Sequence, residues 1–369
     1  MGGSLTPAES SSLRLAAVGD LLLASDATGT HTPGDPSAIF AGVRPLLADC
    51  DVVFGNLECT LAGDGRTIPT QPRVISTPEM VRAVRSAGFN VVTLANNHMF
   101  DCLQGGFHRL RDLLEGMGIA WFGAGDDLAE AIRPAVLEVN GRRLGFLGAV
   151  DKRSGPFQFA APGRWGVSPL DVDRLVDDIG RLRGQVDHVI VSVHWGEERF
   201  LIPSPSQREQ ARRFAQAGAS LVLGHHPHVL QGLERVQGVP VAYSLGNFVA
   251  CEVPYTDGDR LTWNRTERTG CILLADLATG RPPEVRQIAT FSQGQQVSID
   301  ATGFGDRRIA QANRALTRGV TLRRYRREHL WVKTVRPALD HLRWSKLKHL
   351  RLRQIRNALA SLARSRRAQ

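Results

Sequence analysis

The sequence contains no long hydrophobic run. No stretch of about 18 consecutive apolar residues occurs in its 369 residues, and residues 1–12 carry no apolar core of the kind that a secretory signal has. Apolar residues make up 42% of the chain and charged residues 22%, which is an ordinary globular composition. The sequence therefore predicts a folded protein without a membrane-spanning helix, and its expected location is the cytoplasm.

Cysteine is sparse, and the motifs of several large enzyme classes are missing. The five cysteines are scattered, odd in number and never in CxxC spacing. This pattern argues against a disulfide framework and a thiolate zinc site, and it favours a reducing compartment. The sequence has no P-loop, no GxGxxG after a strand and no GxSxG elbow, so nucleotide-binding and serine-hydrolase functions lack their usual motifs. It also has no internal repeat.

Acidic residues are scarce at the C-terminal end. Residues 306–369 contain 19 Lys or Arg against 3 Asp or Glu, so this segment carries +16 and the first 305 residues carry −6 within a total of +10. We interpret the segment as a basic helical tail with a break at Pro337. Its basic face could bind an anionic membrane, an anionic polymer or nucleic acid, or simply be solvated. Nucleic acid is the least favoured partner, because aromatic residues are not interleaved and no known motif is present.

Short apolar runs alternate with amphipathic stretches from Leu13 to about Phe291, which is typical of a layered α/β fold. The apolar runs predict strands at Leu13–Val18, Asp51–Gly55, Val91–Ala95, Ile119–Phe122, Ala135–Val139, Leu144–Val150, His188–Val193, Ser220–Leu223 and Val239–Ser244. The amphipathic stretches predict helices at Ser37–Ala48, Pro78–Ala87, Gln104–Met117, Pro169–Arg183 and Pro205–Ala217. Asn140-Gly141 lies between two apolar runs and predicts a type I′ hairpin, so part of the sheet should be antiparallel.

Three imidazoles fall within four residues in the segment Gly224–His228. The run Ser220–Leu223 before them predicts a buried strand, so the histidines should lie on the loop at its carboxyl end, where open α/β sheets bind ligands. Alternate residues of an extended segment point the same way, so we expect His226 and His228 to face one metal site and His225 to face elsewhere. Loop histidines satisfied by the backbone or by solvent are the alternative.

Polar residues also follow four other predicted strands. They are Asp20, then Asn56 and Glu58, then Asn96, Asn97, His98 and Asp101, and finally His194. Each of them alone suits a turn, a helix cap or a satisfied loop residue. The carboxyl ends of neighbouring strands converge, however, so together these side chains predict one site with nitrogen and oxygen ligands. Such ligands suit one or two divalent ions of Mn, Fe, Zn or Mg.

Six motifs taken together resemble the CapA family of capsule (poly-γ-glutamate) biosynthesis proteins. They extend over about residues 13–277 and comprise Gly19-Asp20, Gly55–Glu58, Ala95–Asp101, His194–Glu198, Gly224–Gln231 and Tyr243–Phe248. That family resembles a branch of the calcineurin-like metallophosphoesterases. The resemblance therefore implies a four-layer αββα sandwich of the metallophosphatase type with a dinuclear metal centre. The domain organisation that we predict is a flexible N-terminus over 1–12, a CapA or metallophosphatase-like domain over 13–300 and a basic helical tail over 301–369.

The resemblance also implies roles for single residues. The residues at the metal-ligand positions of the family, including those that replace a usual ligand, are Asp20, Asn56, Glu58, Asn97, His194, His226 and His228. The catalytic positions are His98, as the general acid, with Asn97 and Asp101. Candidates for substrate binding are Trp195, Glu198, His225 and Asn247. A packing role is an equal alternative for Trp195. A structural role in a turn is an equal alternative for Asn247.

The sequence departs from the phosphoesterase pattern at two metal positions. The first motif normally reads Asp-x-His, but here Leu22 follows Asp20 and Leu21. The bridging aspartate is replaced by Asn56, and Glu58 is the candidate to take over its role. A site with less negative charge would hold only one ion tightly. Two smaller departures are Cys102 and Arg199, which stand where the family commonly has an aromatic residue.

Two functions of different classes remain open from the sequence. The first is a metal-dependent hydrolase that acts on a phosphoester or on an amide-linked, carboxylate-rich substrate during the synthesis or export of poly-γ-glutamate or another surface polymer. Its partners would be an anionic polymer or a phosphorylated small molecule. The second is a non-catalytic assembly factor that uses the metal centre for structure or polymer binding. The missing first-motif histidine favours the assembly factor, whereas the intact Asn97-His98 pair favours catalysis.

Overall fold

The computed structural model describes residues 12–341, with side chains up to Leu339. Residues 1–11 of the predicted flexible N-terminus and the predicted tail helices after His341 lie outside this range. The chain divides after Thr321 into two compact units. The first unit thus includes residues 301–321, which the sequence predicts to be part of the tail.

Two large sheets dominate the described part of the first unit. Their strands are β1 (Leu13–Leu22), β2 (Val52–Asn56), β3 (Val91–Thr93), β4 (Ala120–Phe122), β5 (Ala135–Val139), β6 (Arg142–Val150), β7 (His188–His194), β8 (Leu221–His225), β9 (Leu233–Val236), β10 (Val239–Ala242), β11 (Asn247–Ala250), β12 (Thr269–Leu277), β13 (Glu284–Gln293) and β14 (Gln296–Ile299). The first sheet has the order β14-β13-β12-β1-β2-β3-β4, with β11 paired to the end of β1. The second sheet has the order β9-β10-β8-β7-β6-β5.

Helices cover the outer faces of the sheets and continue into the second unit. They are α1 (Arg44–Ala48), α2 (Pro78–Ser86), α3 (Leu103–Gly116), α4 (Leu128–Ala131), α5 (Val172–Leu182), α6 (Pro205–Ala217), α7 (Phe304–Thr317), α8 (Leu322–Leu330) and α9 (Arg336–His341). Two of them, α2 and α6, begin at a proline, which suits the first helical turn because a backbone N–H group there would donate to no partner within the helix.

The two sheets pack face to face, with helices outside. In β1, Leu15 and Ala17 point into the core between the sheets, whereas Ala16 and Val18 belong to the core under α2 and α3. On the far side of the second sheet, α5 packs so closely on β6 that a Cβ at Gly145 would lie 2.7 Å from the side chain of Leu182. The order of layers is helix, sheet, sheet, helix, so the predicted four-layer α/β architecture is confirmed.

The central strands of both sheets are parallel. Strands β1, β2, β3 and β4 run parallel in the first sheet, and β6, β7, β8 and β10 run parallel in the second. Parallel strands place their carboxyl ends at one edge of a sheet. The polar residues that follow β1, β2 and β3 therefore lie at one edge of the first sheet, and those that follow β7 and β8 lie at one edge of the second. The packing of the two sheets brings these edges together, because Glu58 of the first group lies 3.6 Å from His194 of the second.

Most predicted elements form, and the clearest difference lies near the N-terminus. All nine predicted strands are present, and the positive φ angles of Asn140 (51°) and Gly141 (72°) are those of the predicted type I′ turn. The predicted helix Ser37–Ala48 is wrong, because only the 3₁₀ turn Pro36–Ala38 and the short α1 form there. The segment between them pairs with β14 through a bridge from Gly42, which prevents a continuous helix.

The second unit is a short run of helices in the described residues. It consists of α8, the π-helical segment Trp331–Val335 and α9. Four large apolar side chains are at least half exposed, namely Leu322, Leu330, Trp331 and Leu339. Among the described helices of the whole chain, none is long and apolar enough to cross a bilayer.

Helix α7 is expected to be part of the folded core of the first unit. Truncation after Thr321 should leave the thermal unfolding midpoint unchanged, whereas truncation after Gly303 should lower it by several degrees. Leu316 of α7 is buried, and the side chain of Asn313 accepts a hydrogen bond from Leu233 N at 2.7 Å. Losing a buried leucine alone costs roughly 2–5 kcal/mol. Circular dichroism melts of the two truncated proteins check this, and equal midpoints would contradict it.

Candidate metal centre

Five strand ends bring the predicted polar side chains to one place. Asp20 lies near the end of β1, Asn56 ends β2, His194 ends β7 and His225 ends β8. The loops that follow these strands and β3 supply Glu58, Asn97, His98, His226 and His228. All of them are buried except Asn97, which is half-buried. The convergence that the sequence predicted at the carboxyl ends of the strands is therefore present.

Glycines allow the backbones to approach closely at this edge. A Cβ at Gly19 would lie 1.9 Å from Gly246 O, and a Cβ at Gly224 would lie 2.0 Å from Tyr243 O. No side chain fits at either position, so both must be glycine. The close approach lets Asp20 N donate a hydrogen bond to Gly246 O at 3.0 Å. Tyr243–Phe248 thus positions the end of β1 and with it the Asp20 carboxylate.

The histidine loop after β8 is not extended. The φ angles of His226 and His228 are +92° and +55°, a region that is costly for residues with a Cβ. The Nδ1 atom of His225 lies 3.3 Å from Asp20 Oδ1, and the Nδ1 atom of His228 lies 3.2 Å from Asp20 Oδ2. The expectation that His225 faces elsewhere is therefore wrong, because it rested on an alternation that this bent backbone does not have.

Glu58 belongs to both groups of side chains that could hold an ion. One group is Glu58, His226 and His228, and the other is Asp20, Glu58 and His194. Within each group the candidate ligand atoms all lie within 4.8 Å of one another. Glu58 Oε1 lies 3.6 Å from His194 Nε2 and 3.8 Å from His228 Nε2. Glu58 therefore lies between the two groups.

The two buried carboxylates have opposite pKa shifts. Burial raises the pKa of Asp20, but hydrogen bonds with His225 and His228 outweigh this and hold the pKa well below its usual range. Burial and the neighbouring Asp20 charge raise the pKa of Glu58 well above its usual range. A cation between the carboxylates would reduce both the cost of burial and the repulsion.

Two of the imidazoles are held neutral. Burial and the charge of His226 keep the pKa of His194 well below its usual range, and burial with the charge of His228 lowers the pKa of His226 to about 4. Burial also acts to lower the pKa of His228, but Glu58 and Asp20 outweigh it and raise this pKa to about 10. Neutral imidazoles offer a lone pair, which metal ligation requires, and an ion bound by His228 would replace the proton of that ring.

The unsatisfied atoms of the site fit a divalent metal ion. Within the described residues, Glu58 Oε1, His226 Nδ1 and His225 Nε2 are buried without a hydrogen-bond partner. Each such atom costs about 1–3 kcal/mol when left unpaired. An ion bound by Glu58 and His226 would remove two of these costs. Carboxylate and imidazole ligands without thiolates suit Mn, Fe or Zn.

Asn56 turns its amide nitrogen toward the carboxylates. Its Nδ2 donates to Asp20 Oδ1 at 2.8 Å and to Glu58 Oε2 at 3.2 Å. Its Oδ1 accepts from Asn96 Nδ2 at 3.1 Å, and Asn96 in turn is fixed because its Oδ1 accepts from His98 N at 3.1 Å. In this geometry Asn56 orients the two carboxylates and offers no oxygen to an ion, which differs from its predicted role as a ligand.

His98 stands beside the ligand groups and belongs to neither of them. Its Nδ1 lies 2.8 Å from Asp101 Oδ2, and the same oxygen accepts a hydrogen bond from Val74 N at 2.7 Å. His98 lines a cavity of about 230 Å³, and Nε2 is its nitrogen available to a molecule there. His98 can therefore exchange a proton with such a molecule. Asp101 is fully buried, so it can act only by positioning His98.

One protein-family model covers this whole arrangement. The family described as bacterial capsule synthesis protein PGA_cap matches residues 14–252, which include all the candidate ligands and His98. The match extends over more than half of the chain. This chain belongs to the PGA_cap family.

The PGA_cap match agrees with similarity to curated relatives. The chain is 32% identical over 249 residues to the capsule biosynthesis protein CapA of Bacillus anthracis, covering 65% of this chain and 60% of the relative. It is 32% identical over 238 residues to the PGA biosynthesis protein CapA of Bacillus subtilis (strain 168), covering 63% and 62%. The chain thus spans about three fifths of the length of these relatives, and the predicted resemblance to the CapA family is confirmed.

Two solved structures are also similar to this PGA_cap protein at low sequence identity. A hypothetical protein from Thermus thermophilus is 17% identical with a TM-score of 0.48, covering 76% of this chain and 100% of that one. A phosphatase from Mycoplasma pneumoniae is 14% identical with a TM-score of 0.44, covering 77% and 95%.

The residues predicted to bind substrate in this PGA_cap protein lie in different environments. Glu198 is exposed and lines the cavity beside His98. Trp195 is fully buried, and its Nε1–H donates to Tyr243 O at 3.0 Å, so its position matches the packing alternative. Asn247 is also fully buried, and its Oδ1 lies 2.9 Å from His228 Nδ1. Of these three, only Glu198 can touch a molecule in the cavity.

One wall of the cavity consists of residues that the sequence does not predict to be near the site. Tyr255 and Trp263 line it, and the Trp263 ring centroid lies 5.3 Å from that of His228. Both belong to a polar stretch with many turn residues, where sequence patterns predict no burial. The stretch is held by Glu267, which is fully buried and accepts a hydrogen bond from Arg199 Nε. The sequence signal for this wall is Trp263, a large aromatic residue within a polar loop.

Proposed function

We propose that this chain is a metal-dependent hydrolase that takes part in the synthesis or export of an anionic surface polymer of the poly-γ-glutamate type. The observation that carries the proposal is that two potential ligand groups share Glu58. They lie beside the His98–Asp101 pair at the wall of a cavity. The polymer context is supported by the family and by the names of the curated relatives. The basic second unit would hold the protein against the anionic polymer or an anionic membrane surface.

One or two divalent ions would be held at this site. The residues that would hold them are Asp20, Glu58, Asn97, His194, His226 and His228. A bound ion supplies a Lewis acid and an acidified water molecule. Asn56 and Asn96 keep the carboxylates in position through the hydrogen bonds described above. Asn97 Oδ1, 2.8 Å from His194 Nε2, links the loop after β3 to the second sheet.

The bond-breaking step requires a proton donor, and His98 is the group in place for it. As the water gives up a proton to solvent and its oxygen forms a bond to phosphorus or to the carbonyl carbon, the bond to the leaving oxygen or nitrogen breaks. His98 gives its Nε2 proton to that leaving atom, so no unstable anion departs. Asp101 holds the opposite ring nitrogen at 2.8 Å and thereby keeps Nε2 directed at the substrate.

The test is metal analysis followed by a substrate screen. Protein from metal-replete expression, purified without chelator, is expected to contain about one to two transition-metal ions per chain, and His226→Ala with His228→Ala should lose them. The metal-loaded protein should cleave at least one member of a panel of phosphoesters and γ-glutamyl amides. A chelator should abolish that activity and added metal should restore it. Fewer than about 0.2 ions per chain in the wild type would overturn the metal site.

A non-catalytic assembly factor is the second candidate, and Leu22 favours it. Leu22 is an apolar cavity residue at the position where the phosphoesterase pattern has a ligand histidine. Under this function the protein binds metal and the anionic polymer but cleaves nothing in the screen. Polymer binding with full metal content and without turnover would therefore select the assembly factor.

A further inference from the structure

The cavity beside His98 contains a carboxylate without a bonded partner. Glu198 is exposed to this cavity and makes no hydrogen bond or ion pair with any described residue. The guanidinium of its neighbour Arg199 donates to Glu267 instead. The imidazole of His228 contacts Asp20, with Nδ1 3.2 Å from Asp20 Oδ2. Within the described residues the Glu198 carboxylate therefore has no ion-pair partner, although the basic side chains of Arg199 and His228 line the same cavity and interact with it electrostatically.

Much of the cavity lining is aromatic or apolar. Tyr255 and Trp263 line the cavity, together with the aliphatic residues Leu22, Val74, Val253 and Leu261. Aromatic faces attract cations, and ammonium groups beside carboxylates and aromatic rings are a common binding arrangement. The volume of about 230 Å³ is below the range of about 300–1,000 Å³ for drug-sized ligands. One small substrate group fits there, and a length of polymer does not.

We propose that this cavity binds an ammonium group of the substrate, with Glu198 as its counter-ion and with the bond to be cleaved at the metal centre. This inference rests on the proposed function and names the part of the substrate that the site selects. A γ-linked glutamate polymer carries a carboxylate on every residue but a free ammonium only at its amino end. Glu198 repels the interior carboxylates and attracts that end. The enzyme therefore acts on the amino-terminal residue of such a chain, or on a single aminoacyl compound.

The test compares one ligand with and without its ammonium charge. L-Glutamine and N-acetyl-L-glutamine are titrated calorimetrically into the metal-loaded full-length protein. We expect L-glutamine to bind about 10- to 100-fold more tightly, because a charge-assisted contact of this kind is worth one to two factors of ten. Glu198→Gln keeps the size of the side chain and removes its charge, so it should abolish the preference. Glu197→Gln, at a neighbour that does not line the cavity, should retain it.

A second variant tests the aromatic wall. Tyr255→Leu keeps an apolar surface but removes the ring, and it should weaken L-glutamine binding about 3- to 10-fold without changing the affinity for the acetylated ligand. Equal affinity of the wild type for the two ligands, a preference that survives Glu198→Gln, or no binding of either ligand at millimolar concentration would each overturn the inference.

Failure of the inference is distinguishable from failure of the hydrolase proposal. Cleavage of phosphoesters or amides without any preference for a free ammonium group would leave the hydrolase standing and overturn the inference. A preference for the free ammonium group that depends on Glu198, in a protein that cleaves nothing in the screen, would support the ammonium site and overturn the hydrolase proposal.

Discussion

Glu58→Gln is expected to weaken the binding of divalent metal by about 100-fold or more. Loss of a residue that merely supports a ligand costs about 10- to 100-fold in affinity, and Glu58 is a member of both potential ligand groups. Glutamine has the same shape and can still accept the hydrogen bond from Asn56 Nδ2. The expected loss therefore comes from the charge and not from a packing defect.

The same variant should not destabilise the metal-free protein. The pKa of Glu58 is raised in the folded protein, mainly by burial and also by the Asp20 charge. A carboxyl group with a higher pKa when folded binds its proton more tightly in that state, so the free energy of unfolding falls as pH rises from the unfolded pKa toward the folded one. Glutamine does not titrate, so in the variant this decrease in the free energy of unfolding with rising pH is absent. At neutral pH the metal-free variant should melt at or above the midpoint of the metal-free wild type.

Two measurements check these expectations together. Metal affinity is measured by calorimetric titration, and stability by thermal melts with chelator and with added metal. The matched control is Glu209→Gln, on the exposed surface of α6, which should behave as the wild type in both. Wild-type metal affinity in Glu58→Gln would show that the site lies elsewhere. A large drop in the metal-free melting temperature would show that Glu58 is a structural residue.

His98→Asn is expected to lower turnover by about 10²- to 10⁴-fold with unchanged metal content. General acid catalysis contributes rate factors of that size, and His98 belongs to neither ligand group. Asp101→Asn should give a smaller loss of turnover, because it leaves His98 in the cavity without its negatively charged partner at Nδ1. Asn97→Ala should lose both metal and turnover, since its side chain contacts His194 at 2.8 Å.

A matched control for His98 exists on the protein surface. His108 of α3 also pairs with a carboxylate, its Nε2 lying 2.6 Å from Asp126 Oδ1, but this pair does not line the cavity. His108→Asn should therefore leave turnover unchanged. Rates are compared on the best substrate of the screen, with metal content measured on the same samples. Loss of metal in His98→Asn would make His98 a ligand and remove its assignment as the acid.

The strand ends could be predicted from the sequence because they combine two local signals. A short apolar run such as Val189–Val193 marks a buried strand, and the polar residue directly after it, here His194, marks a functional end. The parallel order of the first sheet then places Asp20 beside Asn56, and the packing of the second sheet on the first brings His194 to them. The local signals were enough to select these residues, whereas their convergence depends on the packing of the two sheets.

The remaining features depend on contacts that the sequence does not encode locally. Whether Asn56 presents its oxygen or its nitrogen is decided by Asn96, forty residues later in the chain, and by the backbone groups that fix Asn96. Trp263 becomes a wall of the cavity only because a polar loop is held down by the buried Glu267. Helix α7 joins the first unit through buried apolar residues that its basic surroundings obscured.

The left-handed backbone at His226 and His228 has a consequence for how this protein would change under selection. Each of these residues holds a conformation that costs a residue with a side chain about 1–3 kcal/mol. Glycine at either position would relieve the backbone but would remove an imidazole. A laboratory evolution experiment that rewards heat resistance alone should therefore accept glycine at these two positions, trading ligands for stability. Retention of both histidines in such a population would mean that the ion itself is what keeps the protein folded.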